Sequence, residues 1–397
     1  MVARPVRAAE QRDHHRRRPE GLGISRTSGR GDPDTRRISR VTEAGCAVSD
    51  TFVSVEATSH LSEPMSAIAD SPSTRFQVLA IDGGGVRGVF AAALLASLEA
   101  DIGEPVLDHF DLVVGTSTGG IVALGLGAGL SPRDILDFYV EEKGRIFANP
   151  LGWRKLRHPF AAKYRPKALK AGLRSVFGAT LLGESRVPLV LPSYDLGENA
   201  VHLFKTPHHP RLKRDHRVEM WAVGMAISSA PTYFPTFRLP GDDVRLIDGG
   251  VWANNPAMVG VTEAVSMFSQ PLEAIRLLSI GTTASARTRS RRLDGAGLLR
   301  WARGLNLLEV LLNGQSAGAF AQVQHLVGPA KAHRLNPIAP EGLAALDKCD
   351  ASGLIAKAAH HSRMFSPTFD AVFGDHTPAP YSPDHGPLAK AGQHAHH

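Results

Sequence analysis

The sequence predicts an α/β fold built around a mostly parallel sheet. Short apolar runs alternate along the chain with segments that have helical periodicity, and three of these runs end in glycine clusters. Strands that alternate with helices of about ten or more residues form βαβ units, whose strands run parallel. With 43% hydrophobic and 21% charged side chains, the composition is that of a globular protein, which excludes a fibrous or wholly disordered chain.

The predicted elements follow these patterns in chain order. The strands are Phe76–Ile81, Leu112–Gly115, Val187–Asp195, Val201–Lys205, Val244–Ile247 and Ile275–Ile280. The helices are Val86–Glu99, Thr118–Leu130, Ser131–Phe147, Val218–Ser228 and Pro256–Phe268. The helix at Ser131 has the clearest start, because Ser-Pro-Arg-Asp combines a capping-box pattern with proline at the first helical position. From about residue 293 to 359 the pattern is helical only.

Composition changes at both ends of the chain. Residues 1–50 contain eleven arginines, seven acids and few large apolar groups, a composition that does not fold alone. A true start near Met65 would explain the same composition. The C-terminal end is rich in Pro, His, Gly and Ala, which predicts a solvated tail. The predicted parts are a disordered basic leader (1–72), an α/β core (73–285), a helical C-terminal extension packed on that core (286–373) and a Pro/His-rich tail (374–397).

Cysteine content and hydropathy narrow the cellular setting. Two cysteines, Cys46 and Cys349, cannot form a disulfide framework or a four-thiolate zinc site, and they fit a reducing compartment. A membrane span needs roughly 18 consecutive apolar residues. The longest apolar run, Ile121–Leu130, has ten residues and is rich in glycine. We therefore expect a cytoplasmic protein that is not integral to a membrane.

The first glycine cluster lies between a predicted strand and a predicted helix. Its residues are Asp82, Gly83, Gly84, Gly85, Val86, Arg87 and Gly88. Successive glycines let backbone N–H groups converge, and the helix N-terminus behind them adds partial positive charge. Such a loop binds an anion, which is either a phosphate or the oxyanion of an acyl-transfer intermediate. A tight turn without a ligand has the same spacing.

The second cluster has the Gly-x-Ser-x-Gly pattern at the same kind of junction. Its residues are Gly115, Thr116, Ser117, Thr118, Gly119 and Gly120. In strand–turn–helix context this pattern is the nucleophile elbow, a sharp turn that only small neighbours allow and that presents the serine hydroxyl above the sheet. We therefore predict that Ser117 is a nucleophile.

The third cluster supplies a base for that serine. None of the 18 histidines follows a predicted strand within a glycine frame, whereas Asp248, Gly249 and Gly250 follow Val244–Ile247 directly. A carboxylate in a dry site has a raised pKa and is able to accept the serine proton. An aspartate that only caps a turn would have the same pattern.

In this order and separation, the three clusters resemble those of the patatin-like phospholipases. The resemblance extends from about Phe76 to Thr282 and includes two further segments, Ser229–Pro235 (SAPTYFP) and Asn254-Asn255-Pro256. It implies a three-layer α/β/α patatin-like fold with a mostly parallel central sheet and a helical C-terminal part. The α/β core (73–285) would then be the catalytic domain.

The resemblance also implies a chemistry. It makes the protein a lipid acyl hydrolase of the phospholipase A type, with a Ser-Asp dyad in which Ser117 is the nucleophile and Asp248 the base. It assigns the oxyanion hole to the backbone amides of Gly83–Gly88, with Arg87 holding that loop. The substrate would be a membrane phospholipid, and neither a cofactor nor a metal is required.

A basic, aromatic-containing segment favours contact with an anionic membrane surface. Between residues 143 and 183 there are ten basic residues and no acid: Lys143, Arg145, Arg154, Lys155, Arg157, Lys163, Arg165, Lys167, Lys170 and Arg174. A second basic stretch spans Arg287–Arg303. Each basic residue near an anionic membrane contributes about 1 kcal/mol. A solvated basic face would have the same composition, so peripheral membrane association is an expectation.

The sequence also indicates two candidate partners, a cyclic dinucleotide and a second copy of the chain. Leu189–Asp195 and Phe204–Thr206 resemble segments of bacterial patatin-like effectors that cyclic dinucleotides activate in anti-phage defence, which implies such an activator. The C-terminal helices would cover the site, form a homodimer or bind an activator.

The alternative to a lipid acyl hydrolase is a non-catalytic lipid- or nucleotide-binding module on the same fold. A dinucleotide-dependent enzyme is disfavoured, because Asp108 and Asp111 precede the second strand instead of ending it.

Overall fold

The computed structural model describes residues 75–146, 162–285, 294–297, 301, 306–339 and 350–389. The strands are β1 (Phe76–Ile81), β2 (Leu112–Gly115), β3 (Leu189–Asp195), β4 (Ala200–Lys205), β5 (Phe237–Arg238), β6 (Arg245–Asp248), β7 (Ile275–Ile280), β8 (Ala284–Ser285), β9 (Ala332–Leu335) and β10 (Ile338–Ala339). The helices are α1 (Gly88–Ile102), α2 (Thr118–Gly127), α3 (Pro132–Ile146), α4 (Pro166–Phe177), α5 (Met220–Ile227), α6 (Gly250–Ala253), α7 (Ala257–Ser266), α8 (Asn306–Val327) and α9 (Ala351–Phe369).

Eight of the strands form one mixed, mostly parallel sheet. Its order is β5-β6-β3-β2-β1-β7-β9, and β4 pairs with β3. The central pairs β3–β2, β2–β1, β1–β7 and β7–β9 are parallel, whereas β4, β5 and β6 are attached by antiparallel pairs. The carboxyl ends of β1 and β2 therefore lie side by side, which brings the two loops that follow them together.

Helices cover both faces of this sheet. Alternate residues of β1 point to opposite faces: Leu79 and Ile81 join a core with α1–α5 and α9, and Val78 and Ala80 join a second core with α7 and α8. Helix α1 is buried over most of its length because α9 packs over it. The result is the expected three-layer α/β/α arrangement.

Most predicted elements match the structure, and the bounds of β1, β2 and β7 agree to the residue. The capping box at Ser131 is present, with the Asp134 N–H donating to Ser131 Oγ at 3.1 Å and Asp134 Oδ2 accepting from the Ser131 N–H at 3.1 Å.

The prediction of a helical-only segment from 293 to 359 is wrong in one respect. Between α8 and α9 the chain forms β9, which extends the main sheet by pairing with β7.

Residues 374–389 also differ from the expected solvated tail. Asp375 forms an ion pair with Arg75, and His376 Nε2 lies 2.7 Å from Asp111 Oδ2. The Asp384 N–H donates to the Pro207 carbonyl at 2.7 Å. These contacts attach the segment to the α/β core. The predicted leader (1–72), most of the second basic stretch and residues 147–161 of the first lie outside the described residues, and the domain boundaries stay predictions.

Candidate active site

Ser117 occupies the sharp turn between β2 and α2. Its backbone has φ 53° and ψ −120°, a conformation that is uncommon for a residue with a side chain and that is held by the surrounding structure. Gly119 allows the turn, because a Cβ atom there would overlap the Ile81 carbonyl oxygen at the end of β1. The side chain of Ser117 thus lies above the carboxyl ends of the two central strands.

The other elbow residues fix this turn. Gly115 ends β2, and Thr116 Oγ1 donates to the Ala253 carbonyl at 2.6 Å. Thr118 begins α2, and its carbonyl accepts a hydrogen bond from the Tyr139 hydroxyl at 2.8 Å. The buried hydroxyl of Thr118 has no hydrogen-bond partner among the described residues, and Thr118 lines the cavity described below.

Asp248 lies at the end of β6 and directly against Ser117. Its backbone pairs with Ser193 of β3, and its N–H donates to the Ser229 carbonyl at 3.1 Å. The Ser117 hydroxyl donates to Asp248 Oδ2 at 2.6 Å, although 131 positions separate the two residues in the chain. The SAPTYFP segment noted in the sequence therefore contributes a backbone contact that positions the carboxylate.

Burial sets the protonation behaviour of Asp248. Desolvation raises the pKa of its carboxyl to about 6, and the hydrogen bond from Ser117 and one from the Gly250 N–H oppose that rise. The Gly250 N–H lies 2.7 Å from Oδ1, so each carboxylate oxygen has a donor. Gly249 precedes α6 as its N-cap residue. At neutral pH the carboxylate is ionised and is a stronger base than an exposed aspartate.

The glycine loop Gly83–Gly88 lies beside this pair, and part of its backbone is already engaged. Three of its amides donate inside the protein: Gly83 N–H to the Asn254 carbonyl at 2.9 Å, Arg87 N–H to the Gly84 carbonyl at 3.3 Å, and Gly88 N–H to the carbonyl of Gly85.

The middle of the loop faces the cavity that contains Ser117. Of the six predicted oxyanion-hole residues, Gly84, Gly85 and Val86 line this cavity. The amides of Gly84 and Gly85 make no hydrogen bond to another described residue. A Cβ atom on Gly84 would overlap the Thr282 side chain, so glycine is required for this close approach. The loop can therefore present two free N–H donors to an anion.

Two arginines hold the loop in place. Arg87 Nε donates to the Gly84 carbonyl at 3.2 Å and its Nη1 donates to the Thr283 carbonyl at 3.1 Å. Arg334 of β9 binds both carboxylate oxygens of Asp82, at 3.1 and 2.6 Å. Sequence analysis missed Arg334, because its short strand has no apolar alternation.

The Asn254-Asn255-Pro256 segment connects the site to α8. The Asn254 side-chain amide donates to Ser316 Oγ at 2.9 Å, and the Asn255 N–H donates to Gln315 Oε1 at 2.9 Å. Since the Asn254 carbonyl accepts the Gly83 N–H, α8 supports the glycine loop through this segment. No sequence signal pointed to Gln315 or Ser316.

The cavity above Ser117 and Asp248 has a volume of about 110 Å³. Its walls are mainly apolar and come from α2, α3, α4, α6, α8 and the SAPTYFP segment; they include Val86, Ile121, Phe138, Tyr139, Ile146, Leu169, Ala230, Pro231, Tyr233, Phe234, Val251, Leu308 and Leu312. Ser228 also lines it, and its hydroxyl is buried and without a hydrogen-bond partner in the described part of the chain. Among the described residues, no histidine lines this cavity.

The described basic residues of the segment 143–183 combine exposure to solvent with contacts to an aromatic ring. Arg165, Lys167 and Arg174 of the α4 region are exposed. Lys170 Nζ and the Arg174 guanidinium lie 4.9 and 4.1 Å from the centre of the Trp221 ring, so cation–π contacts hold both against α5. Within the described ranges, no helix has the length and hydrophobicity of a membrane span, and no three His, Cys, Asp or Glu side chains cluster as a metal site would require.

Sequence comparisons find known proteins that are similar to this chain. The profile of the patatin-like phospholipases matches residues 79–261. A cGAMP-activated phospholipase of Pseudomonas aeruginosa is 34% identical over 256 residues, which cover 64% of this chain and 76% of that protein. A cGAMP-activated phospholipase of Vibrio cholerae is 33% identical over 226 residues, covering 52% of this chain and 64% of that protein.

A plant protein and a solved structure are also similar to parts of this chain. Patatin-like protein 4 of Arabidopsis thaliana is 32% identical over 242 residues, covering 53% of this chain and 60% of that protein. Among solved structures, VipD of Legionella pneumophila has a TM-score of 0.42 at 11% identity, covering 76% of this chain and 67% of that one.

The fold and site define an α/β protein with a buried serine–aspartate pair. The chain belongs to the patatin-like phospholipase family.

Proposed function

We propose that this protein is a serine acyl hydrolase of the phospholipase A type, which releases fatty acid from membrane phospholipids. The observation that carries the proposal is the 2.6 Å hydrogen bond between Ser117 Oγ and the buried Asp248 carboxylate. The site around this pair combines a raised aspartate pKa, two free loop amides and apolar walls. Together these groups suit the attack of a serine on a fatty-acyl ester.

Acylation uses the dyad and the loop. Ser117 Oγ attacks the ester carbonyl carbon while its proton passes to Asp248 Oδ2. The Gly84 and Gly85 amides stabilise the negative oxygen of the tetrahedral intermediate. The bond to the leaving oxygen then breaks, and that oxygen takes the proton from Asp248 as the lysophospholipid departs. The acyl group stays on Ser117.

Deacylation repeats the same proton transfers with water. Asp248 accepts a proton as the water oxygen attacks the acyl carbon, and the loop amides again stabilise the oxyanion. The bond to Ser117 breaks, and Ser117 Oγ recovers its proton from Asp248 as the fatty acid leaves. Every step uses protein groups and water, so the proposal calls for no cofactor or metal.

The walls of the cavity suit an acyl chain. Aromatic and aliphatic side chains make up most of the cavity that contains Ser117, and Glu142 of α3 is a further charged residue in its lining. Transfer of a methylene group from water to such a site contributes about 0.8 kcal/mol. Mostly apolar walls favour a fatty-acyl ester over a small polar ester. An alternative, a non-catalytic lipid-binding module, would use the same walls but would not require an ionised Asp248.

We further propose that a cyclic dinucleotide activates the enzyme in anti-phage defence. Three relatives at 31–34% identity are cGAMP-activated phospholipases. The segments with the corresponding resemblance form β3 and β4, and Ser193 of β3 pairs directly with Asp248. A ligand that shifts β3 would therefore shift the base relative to Ser117.

Fatty-acid release from mixed phospholipid vesicles tests both parts. Unsubstituted protein should release fatty acid with cGAMP present, and Ser117→Ala and Asp248→Asn should abolish release. Ser175→Ala and Asp242→Asn, which lie outside the cavity, are the matched controls and should keep full rates. Full release without a nucleotide would contradict activation. No release from any lipid, with vesicle binding intact, would favour the binding module.

A further inference from the structure

The N-terminal half of α8 has an unusual surface for a helix on the outside of a protein. Glu309 is the only Asp, Glu, Lys or Arg among its 22 residues. Exposed helix faces are normally charged or polar. Here Leu307, Val310 and Leu311 are exposed by 43%, 36% and 60%, so the outward face of the first turns is apolar.

The same turns of α8 form a wall of the active-site cavity. Leu308 and Leu312, which alternate with the exposed residues, line the cavity above Ser117. The helix is therefore apolar on its inner and outer sides at one place. A helix with apolar side chains on opposite faces is normally buried on both, so the exposed face is a candidate contact surface.

An exposed residue of α6 joins this surface to the cavity. Val251 lines the cavity and is also 44% exposed, and α6 packs against α8. The apolar patch is defined here as Leu307, Val310, Leu311 and Val251. It adjoins the cavity of Ser117 through Val251 and through Leu308 and Leu312, which lie on the same turns of α8 and line that cavity. A ligand that passes from patch to cavity stays in contact with apolar side chains.

We propose that this apolar patch is the surface that inserts into an anionic lipid bilayer and through which the acyl chain enters. The inference rests on the proposed function in one respect, since it takes the substrate to be a membrane lipid. Residues 287–303, directly before α8 in the chain, contain six arginines and one aspartate, a charge that complements anionic headgroups. A second copy of the chain seated on the patch would cover the cavity instead of supplying it.

Vesicle binding tests the surface without any catalysis. The full chain carrying Ser117→Ala is compared with the same chain carrying also Leu311→Asp, using sedimentation with phosphatidylglycerol/phosphatidylethanolamine vesicles, with and without cGAMP. Placing a charge in the inserted patch should weaken partitioning by roughly tenfold or more. Leu307→Asp provides a second patch variant. Met364→Asp on α9, where the side chain is 70% exposed, is the matched control and should bind as before.

A second assay separates the surface from the chemistry. In the chain with Ser117 intact, Leu311→Asp should lose hydrolysis of vesicle lipid and keep hydrolysis of a soluble short-chain ester, because Leu311 does not line the cavity. If the unsubstituted protein cleaves no ester but the patch variants still lose vesicle binding, the surface stands and the proposed function fails. If the patch variants bind vesicles as tightly as Met364→Asp, the surface is refuted. Conversion of an oligomer to a monomer by Leu311→Asp, with vesicle binding unchanged, would refute it in favour of a contact between copies.

Discussion

Arg334 of β9 donates two hydrogen bonds to Asp82, the carboxylate at which the glycine loop begins. The pair joins positions 252 apart and is almost fully buried, with side-chain exposures of 14% and 4%. It anchors the loop from the outermost strand of the sheet. The C-terminal part of the chain therefore belongs structurally to the site and does not simply cover it.

Removal of Arg334 should destabilise the fold and the loop together. Arg334→Ala leaves Asp82 buried without its cationic partner, which costs about 3 kcal/mol of unfolding free energy. Arg334→Lys keeps the charge but loses the two-point geometry, and we expect an intermediate loss. Urea unfolding measures both. Lys167→Ala, which removes an exposed basic side chain on α4, is the control and should change little. Equal stability of all three variants would contradict the anchoring role.

A side chain at Gly84 should impair catalysis specifically. The Cβ of Gly84→Ala would overlap Thr282 and displace the amides that face Ser117, and loss of one oxyanion donor costs about 10²–10³ in rate. Rates on a soluble ester measure the effect. Gly318→Ala on α8, where a Cβ would meet open space, should keep the rate and gain up to about 1 kcal/mol of stability. A Gly84→Ala enzyme with normal kcat would place the oxyanion elsewhere.

The pH dependence of the rate should report Asp248. Its carboxyl must be ionised to accept the serine proton, and burial raises its pKa to about 6. We therefore expect kcat/KM on a soluble ester to rise with pH through about 6 and then to level off. A rate that is constant between pH 5 and 8 would exclude a base with this pKa.

The same burial makes Asp248 costly for stability at high pH. Its pKa is higher in the folded than in the unfolded chain, so between these two pKa values the folded state binds more protons than the unfolded state. The free energy of unfolding therefore falls as the pH rises from about 4 to 6. The total loss is about 3 kcal/mol, from roughly two pKa units at 1.36 kcal/mol each. Asparagine does not ionise, so Asp248→Asn removes this loss of unfolding free energy. We expect the variant to be inactive and to have a higher Tm than the unsubstituted protein, by a margin that grows from pH 5 to pH 8.

Local sequence patterns were sufficient to predict the buried central strands and the glycine turns that follow them. The strands leading to Ser117 and the glycine loop are continuous apolar runs bounded by glycine, and β1 and β2 were predicted to the residue. Asp248 was found in the same way, from its place at a strand end. These signals exist because a buried parallel strand and a tight turn each restrict residue type within a few positions.

The long-range parts carried no such signal. Ala332–Leu335 includes His333 and Arg334 and has no strand pattern, and only its pairing with β7 makes it a strand. The C-terminal segment looked solvated because its attachment depends on single ion pairs, such as Asp375 with Arg75, and on backbone contacts. Ser228 is one of many serines in the sequence, and only the fold places it in the cavity wall. These placements depend on tertiary contacts and not on local composition.

Mass spectrometry of the intact and of the digested protein, after mixing with an activated fatty-acyl ester in the presence of cGAMP, tests the central claim most directly. The account predicts that one acyl group appears on the peptide containing Ser117, that Ser117→Ala gains none, and that Asp248→Asn is acylated at least about a thousandfold more slowly. Acylation of the Ser117→Ala protein, or an Asp248→Asn protein acylated at the normal rate, would contradict the serine–aspartate dyad.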